Sequence, residues 1–274
     1  MSTKTIIVTR PSGQARQLVE VLTRAIEANG VAKRSLPEIL SLPLLTIVPK
    51  SDEHLADHIA TVLSDADLTI FVSPNAIESV MRLLERDWQD FSKKIIPIGV
   101  MGGSSYLALK KHGIGSEKNP TSIIVPGNNE HWDSEGLWQE LQSLRWNWRD
   151  KKVAIFKGDG GRDWLADTLK TAGATVEAIS SYSRVPLDID NPAWLAIREM
   201  DLSKSLWLLT SSEAVRYLGE VMKDQFIQNL NGASALCSHH NITDAAELIG
   251  FGEVLTSEPG DEALIKSTLA WLTI

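Results

Sequence analysis

Two similar lobes, each a parallel β-sheet wrapped by helices, are predicted by three features of this sequence. Short β-rich runs alternate with amphipathic patterns of helix length, the helical patterns stop near glycines, and one strand–turn–helix series occurs twice. Strands alternating with single helices are joined by right-handed crossovers, which makes their sheets parallel and covers both faces. The fold class is therefore α/β.

The first strand is Thr5-Ile6-Ile7-Val8-Thr9, a continuous apolar run suited to burial on both faces. The helix after it sets Ala15, Leu18, Val19, Leu22 and Ile26 on one face and stops at Gly30. Leu68 to Val72 is the next strand, followed by a turn at Ser73-Pro74-Asn75 and a helix through Ile77, Val80, Met81 and Leu84. Ile95 to Val100 leads through Gly102-Gly103 into a helix that ends at Gly113. Val153 to Phe156 enters the turn Lys157-Gly158-Asp159-Gly160-Gly161, then a helix through Leu165 and Leu169 to Gly173. Leu206 to Leu209 precedes Thr210-Ser211-Ser212 and a helix through Val215, Leu218 and Val221.

The repeat is the more informative feature. Phe71-Val72-Ser73-Pro74-Asn75-Ala76-Ile77 parallels Leu209-Thr210-Ser211-Ser212-Glu213-Ala214-Val215. Thirty-two residues beyond Ser73 and Ser211, Ser105 and Thr243 open helices that close at Gly113 and Gly250. Glu135-Gly136-Leu137 and Glu262-Ala263-Leu264 then begin one more helix each, and a strand–helix unit ending at Gly30 or Gly173 precedes each series. Four βα units thus occur twice, which reads as two lobes facing one another across a cleft. Leu36-Pro37-Glu38-Ile39 with Leu42-Pro43, and Tyr182 to Pro186, are proline-punctuated and extended. Two such crossings side by side make one lobe discontinuous.

Composition sets limits on function. With 43% hydrophobic residues the 274-residue chain has material for a real core, and its length suggests two domains of about 100–200 residues. A net charge of −8 argues against a nucleic-acid partner, although a locally basic cleft in an acidic protein still accepts an anionic small molecule. Cys237 is the single cysteine, so no internal disulfide forms and a reducing compartment fits. Residues 1–10 hold no apolar leader core, and the most apolar stretch, Ile39 to Val48, is broken by Pro43 and too short to span a bilayer. The expectation is a cytoplasmic monomer with no membrane partner.

The usual catalytic signatures do not occur. Gly158-Asp159-Gly160-Gly161 fails to complete a dinucleotide fingerprint because Asp163 stands where its last glycine belongs, and neither G-x-S-x-G nor H-E-x-x-H is found. His54 and His58 have metal-clip spacing but no third ligand, and read as the solvated face of a polar helix. No metal or other cofactor is expected. What remains is a set of small polar residues at strand-to-helix turns: Thr9, Ser73, Ser105, Thr210, Ser211 and Thr243. Each either caps a helix or meets a ligand, because ligands of open α/β sheets bind beyond the carboxyl ends of the strands. Several helix N-termini open there as well, and their free N–H groups suit carboxylates. Arg10, Lys157, Arg162 and Arg184 are the cations nearest these turns; Arg162 is either a ligand contact or a partner of Asp159 or Asp163. His239-His240 reads as an exposed turn, and Trp132, Trp138, Trp146 and Trp148 as packing around one helix and its loop.

In this order and spacing, the motifs resemble uroporphyrinogen-III synthases over nearly the whole chain. Ile7-Val8-Thr9-Arg10-Pro11, Phe71-Val72-Ser73-Pro74-Asn75-Ala76 and Gly102-Gly103-Ser104-Ser105 with Gly113 look like successive strand–turn elements of that family. The strongest stretch is Phe156-Lys157-Gly158-Asp159-Gly160-Gly161-Arg162-Asp163-Trp164-Leu165, continuing to Leu169, Gly173-Ala174 and Tyr182, with Thr210-Ser211 and the helix from Thr243 completing the series. The resemblance implies two flavodoxin-like lobes joined by a two-stranded linker. Residues 1–36 and 184–274 would form one lobe, 42–180 the other, and 37–41 and 181–183 the linker strands. It also implies a cofactor-free lyase that takes hydroxymethylbilane, removes water from its hydroxymethyl carbon and closes uroporphyrinogen III with the last ring inverted. Tyr182 matches the family's tyrosine on the second crossing strand and is the implied donor to the departing hydroxide, with the turn residues above and Arg10, Lys157 and Arg162 as substrate contacts. Val72 and Asn241 depart from the family pattern at two expected contacts. A non-catalytic two-lobed binder of a small anionic ligand shares these features. A glycosyltransferase-like enzyme would also need a nucleotide site, and none stands out.

Overall fold

A computed structural model describes residues 3–29, 36–85, 87–90, 94–127, 132–225, 229–258 and 260–273; Gly30, the expected stop of the first helix, lies outside them. The chain opens with β1 (Thr5–Val8), α1 (Ser12–Ala28), β2 (Glu38–Ser41), β3 (Leu45–Pro49) and α2 (Glu53–Asp65). Next come β4 (Leu68–Phe71), α3 (Pro74–Leu84), β5 (Ile98–Val100), α4 (Gly103–Lys111), β6 (Ile123–Ile124) and α5 (Ser134–Ser143). Then follow β7 (Lys152–Gly158), α6 (Trp164–Thr171), β8 (Thr175–Pro186), α7 (Ala193–Glu199), β9 (Ser205–Leu209) and α8 (Ser212–Gln225). The chain closes with β10 (Ser234–Cys237), α9 (His240–Leu248), β11 (Glu253–Thr256) and α10 (Asp261–Leu272).

These elements form two compact units, Met1–Thr46 with Val185–Ile274, and Ile47–Arg184. The first holds a five-stranded sheet in the order β2-β1-β9-β10-β11, with every neighbouring pair parallel. The second holds the parallel series β8-β7-β4-β5-β6, with β3 added outside β8. Both follow the flavodoxin-like order. The tandem repeat is thus built with its leading units exchanged. β1 and β2 join the late strands β9 to β11, whereas β7 and β8 join the early strands β4 to β6.

The chain passes between units at 46–47 and 184–185. Residues 37–41, expected as a linker strand, are instead β2, the edge of the first sheet, in register with β1. Residues 181–183 lie inside the twelve-residue β8. The prolines misled because Pro37 and Pro43 flank β2, and extended backbone before a proline suits the end of an edge strand as well as a linker.

The central strands β1, β4, β5 and β9 are buried on both faces and are predominantly apolar without alternation, whereas the edge strands are partly exposed. On β1, Ile6 and Val8 enter one core cluster and Ile7 the other. On β7 in the second unit, Val153 and Ile155 face one cluster and Ala154 and Phe156 the opposite one. Two buried indoles find acceptors for their N–H: Trp207 donates to Ser205 Oγ at 3.0 Å and Trp194 to the Asp188 carbonyl at 3.0 Å. Cys237 is buried, and burial pushes its thiol up to about 11, which makes it a packing residue. Among the described residues no helix is long and apolar enough to cross a membrane.

Helix starts differ in detail from expectation. The helices of Ser105 and Thr243 begin at Gly103 and His240, because the N-caps are Gly102 and His239, the latter accepting Asn241 N–H on Nδ1 at 3.2 Å. Trp138, Trp146 and Trp148 do pack together, with ring centroids 5.6 Å apart in both contacts. Trp132 lies apart from them, over Gly102 and Gly103, where a Cβ on Gly103 would come within 2.7 Å of its ring.

Gly252, just before β11, leaves no space for a side chain, since an added Cβ would sit 1.8 Å from the Asn231 carbonyl oxygen. Because a backbone atom is in the way, Gly252→Ala should cost about 3 kcal/mol and lower the urea midpoint of unfolding. An unchanged midpoint would refute this packing.

Candidate functional site

The second unit concentrates its chemistry at the carboxyl ends of the neighbouring parallel strands β4 and β7. β4 ends in Phe71, and Ser73 turns the chain into α3 with extended backbone and Pro74 at the first helical position. Ser73 Oγ accepts the Ala76 N–H at 3.2 Å and lies 3.1 Å from Tyr182 Oη.

Tyr182 reaches Ser73 because of an irregularity in the ladder. β7 and β8 run in constant register from Lys152 opposite Thr175 to Lys157 opposite Ser180, and then Gly158 pairs with Tyr182. Ser181 is the extra residue of a bulge, a device that re-aims side chains. Two consecutive residues are therefore buried, Ser181 at 1% and Tyr182 at 2% exposure. The ring joins the core cluster of Phe71 and Phe156. Gly158 is required here: a Cβ on it would lie 2.7 Å from two ring carbons of Tyr182 and 2.9 Å from Arg184 Nη1.

Arg184 follows two residues on, the spacing that returns a strand side chain to the same face. It donates from Nη1 to Tyr182 Oη at 3.1 Å and from Nη2 to the Asp159 carbonyl at 3.0 Å. The Asp159 carboxylate accepts from Lys50 Nζ at 2.8 Å and from the hydroxyls of Ser180 and Ser183 at 2.5 Å each. The Lys50 ammonium first, then the two hydroxyls, hold this carboxyl well below the usual carboxylate range. Beside this network is a cavity of about 190 Å³ lined by Met101, Lys157, Gly160, Gly161, Arg162 and Arg184 among others.

Of the residues singled out from sequence, the structure brings Ser73 and Tyr182 into contact and sets Lys157 and Arg162 along the adjoining cavity. Both cations already have partners. Lys157 pairs with Asp163 at 2.5 Å, and Arg162 forks onto Glu135 at 3.0 and 3.3 Å instead of the expected Asp159 or Asp163. Ser105 is enclosed in its unit, 3% exposed.

In the first unit Thr9 is also enclosed, 3% exposed, with its hydroxyl donated to the Leu208 carbonyl at 2.7 Å. Arg10 pairs with Asp261 at the start of α10, 2.6 Å away. Ser211 accepts Ala214 N–H at 3.3 Å, which repeats the cap made by Ser73, and half-buried Thr210 precedes it. Thr243 Oγ1 lies 2.8 Å from Thr256 Oγ1. His58 pairs with Glu177 at 2.7 Å, in keeping with a surface role. Sequence reasoning missed Lys50, Ser180 and Ser183 as partners of Asp159, and gave Arg184 no role. The one available signal was the i, i+2 spacing of Tyr182 and Arg184.

A family model described as "Uroporphyrinogen-III synthase HemD" matches residues 18–266. The chain is 26% identical to the uroporphyrinogen-III synthase of Escherichia coli strain K12 over 271 residues, covering 96% of this chain and 98% of that one. It is likewise 26% identical to the Salmonella typhimurium protein of that name over 272 residues, with the same coverage. Among solved structures, a mutant uroporphyrinogen III synthase from the extremely thermophilic bacterium Thermus thermophilus aligns with TM-score 0.59 at 14% identity, covering 99% of each chain. The Helicobacter pylori uroporphyrinogen-III synthetase aligns with TM-score 0.60 at 13% identity over 98% of this chain and 100% of that one. These two likenesses concern the fold.

The Asp159 network has a definite pH signature. A carboxyl held low in the folded state stabilises that state wherever the unfolded carboxyl is ionised, above about pH 4, and the contribution is lost as pH falls through the depressed folded value. Asp159→Asn should therefore lower the urea midpoint equally at pH 7 and pH 5, and its deficit against wild type should shrink as the pH drops below about 4. A deficit that stays constant down to about pH 2.5 would show that ionisation of Asp159 contributes nothing.

Proposed function

The chain belongs to the uroporphyrinogen-III synthase family, and from that premise we propose that it cyclises hydroxymethylbilane to uroporphyrinogen III, inverting the last pyrrole ring and releasing water. The observation that carries the reading at the level of atoms is the contact of Ser73 and Tyr182 beneath Arg184, at the carboxyl ends of β4 and β7. The reaction asks little of protein nucleophiles, since the pyrroles supply the electrons. It needs a donor for the departing hydroxide and a restraint against simple head-to-tail closure.

The Ser73–Tyr182 pair supplies the donor in this proposal. With Tyr182 only 2% exposed, Ser73 is the member that meets the substrate and the phenol stands behind it. This revises the role expected from resemblance, in which the phenol acted directly. Lys157 and Arg162 would exchange their present carboxylate partners for carboxylates of the substrate. The amide ends of α3 and α8, with Thr210 and Ser211, are further proposed contacts for such groups. The reaction is that of a small-molecule enzyme, and every step assigned here uses side chains and amides of this chain.

Incubating the protein with freshly made hydroxymethylbilane, oxidising, and separating the porphyrin isomers tests the reading. Isomer III well above the spontaneous background is expected; isomer I alone, at the spontaneous rate, would reject it in favour of a non-catalytic binder. Tyr182→Phe should slow formation of isomer III by about 100-fold and lower the stability read from urea unfolding by no more than the roughly 3 kcal/mol of its two lost hydrogen bonds. Wild-type rates in that variant would remove Tyr182 from the mechanism.

A further inference from the structure

We infer that Arg184 is a positioning residue for ring closure: it sets the resting Tyr182–Ser73 hydroxyl pair with the phenol proton toward Ser73, and it balances the charge left on the phenol. The inference rests on the functional reading above and adds to it a residue and a direction. Its basis is donor and acceptor chemistry. A guanidinium has only donors, so in the 3.1 Å contact between Arg184 Nη1 and Tyr182 Oη the phenol oxygen must accept. The phenol proton is then left to face its other neighbour, Ser73 Oγ, 3.1 Å away. Ser73 Oγ also accepts the Ala76 N–H at 3.2 Å, so with both lone pairs engaged its own proton is the one free to meet a ligand. Read alone, the Ser73–Tyr182 contact allows either direction; Arg184 selects one.

The guanidinium is held in place for this. Its second nitrogen donates to the Asp159 carbonyl at 3.0 Å, its carbon lies 5.6 Å from the Tyr182 ring centroid, and the missing side chain of Gly158 makes the room it occupies. A planar fork gripped at two nitrogens fixes an acceptor in a way that a flexible ammonium does not. In the step itself the hydroxymethyl C–O bond breaks and its electron pair stays with oxygen. That oxygen takes the Ser73 proton and leaves as water, Ser73 takes the phenol proton, and the resulting phenolate faces the Arg184 cation. The ring carbon that makes the final bond later releases its proton, which returns along the same path to the phenolate. One proton is lent and one is returned.

A double-mutant cycle with Arg184→Met and Tyr182→Phe, read by steady-state kinetics on hydroxymethylbilane and by isomer analysis, tests this. Arg184→Met should lower kcat by about 10- to 100-fold while KM changes by less than about twofold. In the Tyr182→Phe background the same substitution should lower kcat by no more than about twofold, because the group it serves is already gone. Arg184→Lys keeps a donor and a charge and should recover part of the lost kcat; it also serves as the informative variant if the methionine form does not fold. Fully multiplicative losses in the double mutant, or a raised KM with kcat intact, would overturn the inference. Isomer I alone from the wild-type protein would instead reject the functional reading itself, so the two failures are distinguishable.

Discussion

A parallel strand covered by helices on both faces has no room for polar chemistry along its length. In β1 the three residues Ile6, Ile7 and Val8 are fully buried, and in β9 the run from Leu206 to Leu209 is at most 1% exposed. Polar groups are therefore displaced to the points where each strand gives way to its helix, and there the helix ends require them, since the first N–H groups have no partner within the helix. Ser73 and Ser211 answer that need in the two units with the same cap. Structural requirement and ligand chemistry thus converge on the same few positions, and a residue that begins as a cap is already placed for a ligand.

Tyr182 is the exception that gives the second unit its distinctive chemistry. A regular β8 would set Ser181 opposite Gly158; the bulge sets Tyr182 there. Burial of its ring contributes about 2 kcal/mol, and the hydroxyl adds about 1 kcal/mol through Ser73 and about 2 kcal/mol through the charged Arg184. The ring holds the residue in place, and the hydrogen bonds aim the oxygen. Asp159 supports the same corner from behind. Its carboxylate ties Lys50, beyond β3, to Ser180 and Ser183 of β8, and its carbonyl holds Arg184. The turn Lys157-Gly158-Asp159-Gly160-Gly161, which does not complete a dinucleotide fingerprint, serves as a support for one arginine and one tyrosine.

Much of this was legible in the sequence. The apolar runs at Ile6 and Leu206 declared buried strands, and the matching serines at 73 and 211 declared two equivalent units. The resemblance to a family pointed to Tyr182. What escaped has identifiable physical reasons. Prolines flanking Glu38 to Ser41 mark extended backbone without saying whether a sheet accepts it, so an edge strand passed for a linker. The bulge leaves no signature, because Ser181 and Tyr182 are unremarkable neighbours until a partner strand counts them. The partners of Asp159 come from positions 50, 180 and 183, which only the fold gathers. Thr9 and Ser105 share the residue types and turn positions of Ser73, and burial alone separates them from it.

The hydroxyl pair at the end of β4 is proposed as the place where the substrate's hydroxymethyl group loses its oxygen. Crystals of the slow Tyr182→Phe variant, soaked with hydroxymethylbilane and cooled before turnover, would show this directly. The hydroxymethyl oxygen is expected within about 3 Å of Ser73 Oγ. A bilane bound with that end elsewhere on the protein would contradict it.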